Sequence, residues 1–328
     1  AFLGNAEQTA QWRTPPFKTM LRQWWRVLKA REAGYNASTL RQWEGELFGS
    51  VAGSTGTKSK ISIRLATWNT GTMHEWPSDP AVHHREVGQG GRDIGSHLYL
   101  GYGPLKTERG TKLKNNAAIQ AYSKTQLFII NPDHIEKEIT EILMLAQCFG
   151  TLGGRSRNGW GSLHISGQKS WEETVTSEAV KKIARPLADC LKQDWPASLG
   201  QDEKGLLVWK ASQPCGNWSD AMKELARIKI AFRTALAFTG GNNGPLEGRH
   251  AIAYPVTNHN VLGQNVRLPN QLRFKVQKTS DGKFLPTAFH FPVATPEALR
   301  RTLPVQEQLA VLIAVHKKMD ELMTRIQA

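Results

Sequence analysis

Twice along this chain a helix-length amphipathic segment runs into a glycine-rich turn and then into a short apolar stretch. The first instance is "PDHIEKEITEILMLAQCFG" (132–150), followed by "TLGGRSRNGWGSLHISG". The second is "NWSDAMKELARIKIAFRTALAF" (217–238), followed by "TGGNNGPLEGRH" and "AIAYPV". Helical periodicity next to strand-length runs excludes an all-helical bundle and an all-β sandwich. The recurrence of the same order predicts two related α+β modules.

The remaining segments fit that plan. "TPPFKTMLRQWWRVLKARE" predicts a helix, with Pro15 and Pro16 at its first positions, where a missing N–H does no harm. "SKISIRLATW" (59–68) alternates with period two and predicts a strand, as does "GSLHISG". "KTQLFIIN" (124–131) predicts a buried strand, and "QLRFKVQKTSDGKFLPTAFHFP" a hairpin turning at Asp281-Gly282. Asn217 is the candidate N-cap of the helix that follows it, and "AIAYPV" predicts a strand. A last helix is expected from about Val305 to Ile326, with Val305, Leu309, Leu312, Met319 and Ile326 on one side. The chain opens abruptly at "AFLGN" without Met, so a strand is expected ahead of it. The first module would then read β-α-β-β-α-β. The expected fold is α+β, two tandem ferredoxin-like (RRM-like) modules. The first spans 1–166, with an insertion at about 69–123 and a Gly-rich loop at 150–162. A polar connection without strands covers 167–204, and the second module covers 205–328.

Charge narrows the function. Lysine and arginine exceed aspartate and glutamate by 42 − 28 = 14, which favours a polyanionic partner, nucleic acid before an anionic membrane surface. No apolar run approaches the roughly 18 residues of a membrane span, and no basic amphipathic anchor is visible, so no membrane partner is expected. Cys148, Cys190 and Cys215 lie far apart with no C-x-x-C pair, which argues against a disulfide framework or a cysteine zinc site and fits the cytoplasm.

Two constellations can carry binding. Lys18, Arg22, Arg26 and Lys29 recur at helical spacing, with Arg13 before them, Arg31 after them and no carboxylate from Gln8 to Arg31. Nothing nearby in sequence relieves their mutual repulsion, so a row of phosphates is the expected counterpart, against a merely solvated face. In the glycine-rich loop, Gly153, Gly154, Gly159 and Gly161 would let the backbone approach a sugar–phosphate chain. Arg155, Ser156, Arg157 and Asn158 would meet phosphates, and Trp160 would stack on a base, against the alternative of a tight turn with a buried Trp.

Other signals are weaker. "GSTGTKSK" lacks phosphate-loop spacing, and "GYG" at 101–103 falls short of a dinucleotide fingerprint. His74, His83, His84 and His97 share the long segment without any metal-binding signature, so surface or core roles are expected. No catalytic residue, metal, cofactor or small-molecule substrate is expected.

The blocks "AFLGNAEQ…RTPPFKTMLRQWWR", "LFGS…SKISI", "YLGYGPL" and "FGTLGGRSRNGWGSL" resemble the RAMP proteins of CRISPR systems. They are most similar to the large doubled RAMP subunit of Cmr (type III-B) effector complexes. The resemblance covers residues 2 to 163, and the second half matches only in outline. It implies assembly and RNA binding in antiviral defence, near the 3′ end of a guide RNA and beside other RAMP subunits, with a paired target RNA within reach. It places the family's basic helix on Lys18, Arg22 and Arg26, and its loop on Gly153, Gly154, Arg155, Arg157, Gly159 and Gly161. The insertion stands where related subunits carry a hairpin that presses into the guide–target duplex. The rival reading is a metal-independent endoribonuclease processing the guide precursor, for which His164 and His97 are the candidate acid–base groups.

Overall fold

Pro15 and Pro16 stand in the first turn of α1 (Thr14–Lys29), where their missing donors leave no bond unmade. The computed structural model describes residues 1–51, 56–115, 117–240, 244–256, 259–263 and 265–327. After α1 come α2 (Ala37–Phe48) and β1 (Ser62–Leu65). Two hairpins follow, β2–β3 (Ala81–His84, Arg92–Gly95) and β4–β5 (Leu105–Thr107, Thr111–Leu113), with α3 (Ser96–Gly101) between them. Next are β6 (Leu127–Ile130), α4 (Glu136–Phe149), α5 (Trp171–Val175) and α6 (Glu178–Lys182). The chain continues through β7 (Ala184–Pro186), α7 (Leu187–Cys190), β8 (Leu199–Asp202), β9 (Gly205–Leu206) and β10 (Val208–Lys210). It ends with α8 (Trp218–Thr234), α9 (Gly248–Ile252), β11 (Leu272–Lys278), β12 (Phe284–His290), α10 (Glu297–Arg300), α11 (Val305–Leu322) and β13 (Thr324–Arg325).

These elements form two units. One is Ala1–Asp79 with Leu100–Ile183; the other is Pro80–Tyr99 with Ala184–Ala328. The long segment at 69–123 is therefore not a single insertion in the first module. It contains two hairpins, and the first of them, β2–β3, packs on α8 in the second unit.

In the first unit, β1 and β6 pair antiparallel, with Ser62 opposite Ile130 and Arg64 opposite Phe128. Helices α1 and α4 pack together, and α1 lies on β1. Phe17, Met20, Leu21, Trp24, Trp25 and Val27 form the buried stripe of α1, with the Trp24 ring 5.7 Å from Phe149 of α4. A helix over 37–48 was not expected from periodicity. Asn36 starts it, its side chain accepting from the Ser38 and Thr39 amides, which supplies the N-terminal bonds the short segment needs. The stretch "GSLHISG" makes one bridge, Thr151 to Ser162, and no continuous strand.

The second unit carries a four-stranded sheet in the spatial order β11-β12-β10-β13, every neighbour antiparallel. Along the chain its members read strand, helix, strand, strand, helix, strand, with α8 and α11 as the helices. Asn217 caps α8 by accepting from the Asp220 amide at 2.9 Å. The β11–β12 hairpin turns where expected, with Gly282 at φ +81°. Phe232 of α8 packs on Phe274 of β11.

Two expected features differ here. "AIAYPV" begins inside α9, and Ala251 and Tyr254 are buried in a cluster with Leu268, Val293, Leu299 and Leu303. Packing thus overrides the extended preference of its residues. Residues 167–204 hold α5 to α7 and the paired strands β7 and β8, so they are built structure and not a connection without strands. The second glycine-rich turn, at 239–250, includes residues 241–243, which lie outside the described residues, as do residues 53–55 of the phosphate-loop-like stretch.

Candidate nucleic-acid interface

The cationic ridge of α1 forms at helical spacing, but it is not unrelieved. Glu44 reaches it from α2: Arg22 Nε donates to Glu44 Oε1, and Arg26 Nη1 lies 3.6 Å from Oε2. Glu44 is itself buried, with 6% of its side chain exposed. Lys29 pairs with Glu32 at 2.8 Å and with Glu138 of α4 at 2.7 Å. These carboxylates lie beyond Arg31 in sequence, which corrects the expectation that nothing relieves the repulsion. Half-buried Lys18 has no ion-pair partner among the described residues, and Arg13 Nε is buried without a hydrogen-bond partner among them. The Arg22 and Arg26 side chains keep 37% and 42% of their surface exposed, enough to meet an external phosphate while held in place by Glu44.

The glycine-rich loop also has a partner, and it is the protein's own backbone. Gly153, at φ +85°, lies so close to the opening segment that a Cβ would fall 2.4 Å from the Phe2 carbonyl oxygen. Gly161, at φ +66°, would place a Cβ 1.9 Å from the Leu152 oxygen. Only glycine fits both the dihedral and the space. Gly154 N–H donates to the Phe2 carbonyl at 2.8 Å, and Leu152 N–H to Gly161 at 2.9 Å. Asn158 is buried and donates to the Leu100 carbonyl at 2.8 Å, fixing the loop instead of meeting phosphate.

Trp160 is 2% exposed, with its ring 4.8 Å from Phe2 and 5.5 Å from Trp76. It cannot stack on a base, and the buried-Trp alternative holds. What the loop offers solvent is Gly153 and Arg155, and partly Gly154, Ser156 and Arg157. Arg155 takes the left-handed conformation at φ +56° and lies beside Gly103, while burial lowers the Arg157 guanidinium from its ordinary value. The α1 cations have α2 and α4 as neighbours and the loop has residues 2 and 100–104, so no described contact joins the two groups.

A third surface was not visible as such in the sequence. "KTQLFIIN" reads as a buried strand, yet Phe128 is 49% and Ile130 71% exposed. Their cross-strand partners, Arg64 and Ser62, are exposed as well. Leu65 is buried on the opposite face, where α1 packs. Successive residues of a strand point to opposite faces, so β1 and β6 present an uncovered face carrying Ser62, Arg64, Phe128 and Ile130. The four-residue apolar run Leu127–Ile130 hides this period, and only pairing with β1 reveals it.

The family model of the RAMP superfamily matches residues 16–164, from the first turn of α1 to the end of the glycine-rich loop. No curated protein matches the chain significantly. Among solved structures, a chain in the cryo-EM structure of the type III-B Cmr-beta bound to cognate target RNA and AMPPnP, in the presence of ssDNA, is similar. The identity is 10% and the TM-score 0.45, over 97% of this chain and 96% of that one.

The matched segment contains the α1 ridge, the β1–β6 pair, the loop and both histidines weighed for catalysis. His164 is exposed, with its Nδ1 3.4 Å from the Gln147 side-chain nitrogen. His97 belongs to the second unit, buried 5.3 Å from the Trp218 ring and 3.1 Å from Ser219 Oγ. His83 faces Asp93 at 3.2 Å, and burial lowers the His84 imidazole. Among the described residues no group of three or more His, Cys, Asp or Glu is placed to hold a metal ion. Among the described residues no cysteine is in a disulfide, and no described helix is long and apolar enough to cross a membrane.

Proposed function

We propose that the chain is a non-catalytic RNA-binding subunit of a type III CRISPR ribonucleoprotein effector. It binds the guide RNA near the 3′ end, beside other RAMP subunits, in cytoplasmic antiviral defence. Within this reading both units are ferredoxin-like modules. The strand order of the four-stranded sheet supports that assignment for the second unit, and the RAMP match supports it for the first.

One observation carries the functional reading. On the RAMP segment Arg155 is exposed on a loop whose shape is fixed by its own backbone, while Arg22 and Arg26 are held partly exposed by one buried carboxylate. Cations fixed in this way lose little freedom on meeting phosphate, and a chain with a net charge of +14 draws a polyanion over distance. Acid–base cleavage needs a histidine poised at the scissile phosphate. Burial of His97 against Trp218 supports a structural role for it instead.

The test is single-stranded RNA binding by the purified chain across a salt series. Affinity should fall steeply with salt and vary little with sequence. The double variant Arg155→Ala, Arg157→Ala should weaken all sequences alike and flatten the log–log salt slope by about 1.4, at about 0.7 per lost phosphate contact. Unchanged affinity would remove the loop from the interface, and metal-free specific cleavage of repeat RNA would replace this reading by the endoribonuclease one.

A further inference from the structure

The uncovered face of the β1–β6 pair has no role in the loop-and-helix interface described above. From it we infer a base-stacking platform: Phe128 takes the face of an unpaired RNA base while Arg64, directly across the strands, holds the adjoining phosphate. The inference rests on the RNA-binding reading and names a second site within it.

Three observations point to a single-stranded polyanion as the occupant. The first is exposure. Phe128 and Ile130 are two of the few large apolar side chains left open among the described residues, and they sit on one face of one strand. An exposed ring gains about as much from a flat aromatic base as from a protein side chain, and every base offers such a face.

The second is charge. Residues 60–66 and 124–130 carry Lys60, Arg64 and Lys124, all exposed, and no carboxylate. The nearest acid along either strand is Asp133, beyond Asn131 and Pro132. A protein partner fitted to Phe128 and Ile130 would have to bury three like charges or supply three acids. A sugar–phosphate strand supplies anions at regular spacing while its bases cover the apolar side chains.

The third is the contrast with the second unit. There every residue of β11 except Lys278 is buried, including Arg273, Lys275 and Gln277, which alternate with Leu272, Phe274 and Val276. In that sheet both faces are covered within the folded chain, whereas the β1–β6 face is left open. Register fixes the geometry: Arg64 and Phe128 are direct cross-strand partners, about 5 Å apart at Cβ, so one nucleotide can touch both.

Fluorescence anisotropy on the full chain tests the inference, with a labelled oligoadenylate and an abasic ribose–phosphate oligomer of equal length as probes. Wild type should prefer the oligoadenylate by at least about fivefold, the lower range for one stacked base. Phe128→Ala should lose that preference while keeping its affinity for the abasic probe, Phe128→Trp should retain it, and Arg64→Ala should weaken both probes. Phe128 is half exposed, so matched thermal midpoints for wild type and Phe128→Ala are expected and are measured alongside. If Phe128→Ala binds both probes like wild type, the platform is wrong while RNA binding stands. If wild type binds neither probe, both readings fail. If Phe128→Ala disturbs only association with another protein chain, the face is a protein interface and the inference is overturned.

Discussion

Burial of a histidine pair in the second unit makes that unit sensitive to mild acid. His290 of β12 and His316 of α11 share one hydrogen bond, Nδ1 to Nε2 at 2.8 Å. The other nitrogen of each ring, His290 Nε2 and His316 Nδ1, is buried without a hydrogen-bond partner among the described residues. Burial lowers both imidazoles: His316 falls from 6.5 to about 4, and His290 lies well below its ordinary value. Arg325 near His316 and Arg273 near His290 add to the shift, while Asp202 and Asp320 oppose it at His316.

Both rings are neutral in the fold and take up protons once unfolded. The stabilisation is therefore full above pH 6.5 and is lost as pH falls towards 4. With a folded value of about 4, His316 alone removes about 2 kcal/mol between pH 7.5 and 5, and about 3 kcal/mol at the limit. His290, His250 and His84, all lowered by burial, add to this.

The assay is urea unfolding at pH 7.5, 6 and 5, followed by tryptophan fluorescence. Trp209 lies 5.6 Å from the His316 ring and reports on its surroundings directly. His316→Gln should be less stable at pH 7.5 and should lose about 2 kcal/mol less than wild type on going to pH 5. A wild-type stability that stays flat from pH 7.5 to 5 would refute the reasoning, as would a variant that keeps the full wild-type slope.

Three further outcomes are expected. Trp160→Ala should destabilise the first unit by about 3–5 kcal/mol as a core truncation, and Gly161→Ala should also be destabilising because its Cβ meets the Leu152 carbonyl; a stable Trp160→Ala that loses only RNA affinity would restore that residue to the interface. Glu44→Gln should cost about 1–2 kcal/mol in chemical denaturation, since it leaves Arg22 and Arg26 without their anion, while low-salt RNA affinity holds or rises. Burial pushes the Cys190 thiol up to about 12, so an alkylating reagent at pH 8 should leave it unmodified until the chain unfolds, with the less buried Cys215 reacting first by mass spectrometry.

Much of this protein was legible as pattern. The α1 helix with its two prolines, the Asn217 cap, the Asp281-Gly282 hairpin and the long final helix each follow from local rules that act within a few residues, so sequence alone settles them. The family resemblance rested on spaced blocks and was likewise available before any coordinates. What tertiary structure decided were the partners. Glycines suited to the approach of a phosphate chain face Phe2 and Leu152, and the Trp beside them is core. A cationic ridge with no neighbouring acid in sequence finds Glu44, on a helix whose weak periodicity concealed it. The apolar run Leu127–Ile130 reads as buried, yet it opens one face to solvent because a strand's two sides are distinguished only once its partner strand and the helix behind it are in place. Local propensity determines which elements form; what each side chain meets depends on contacts between residues far apart in the chain, which periodicity does not encode.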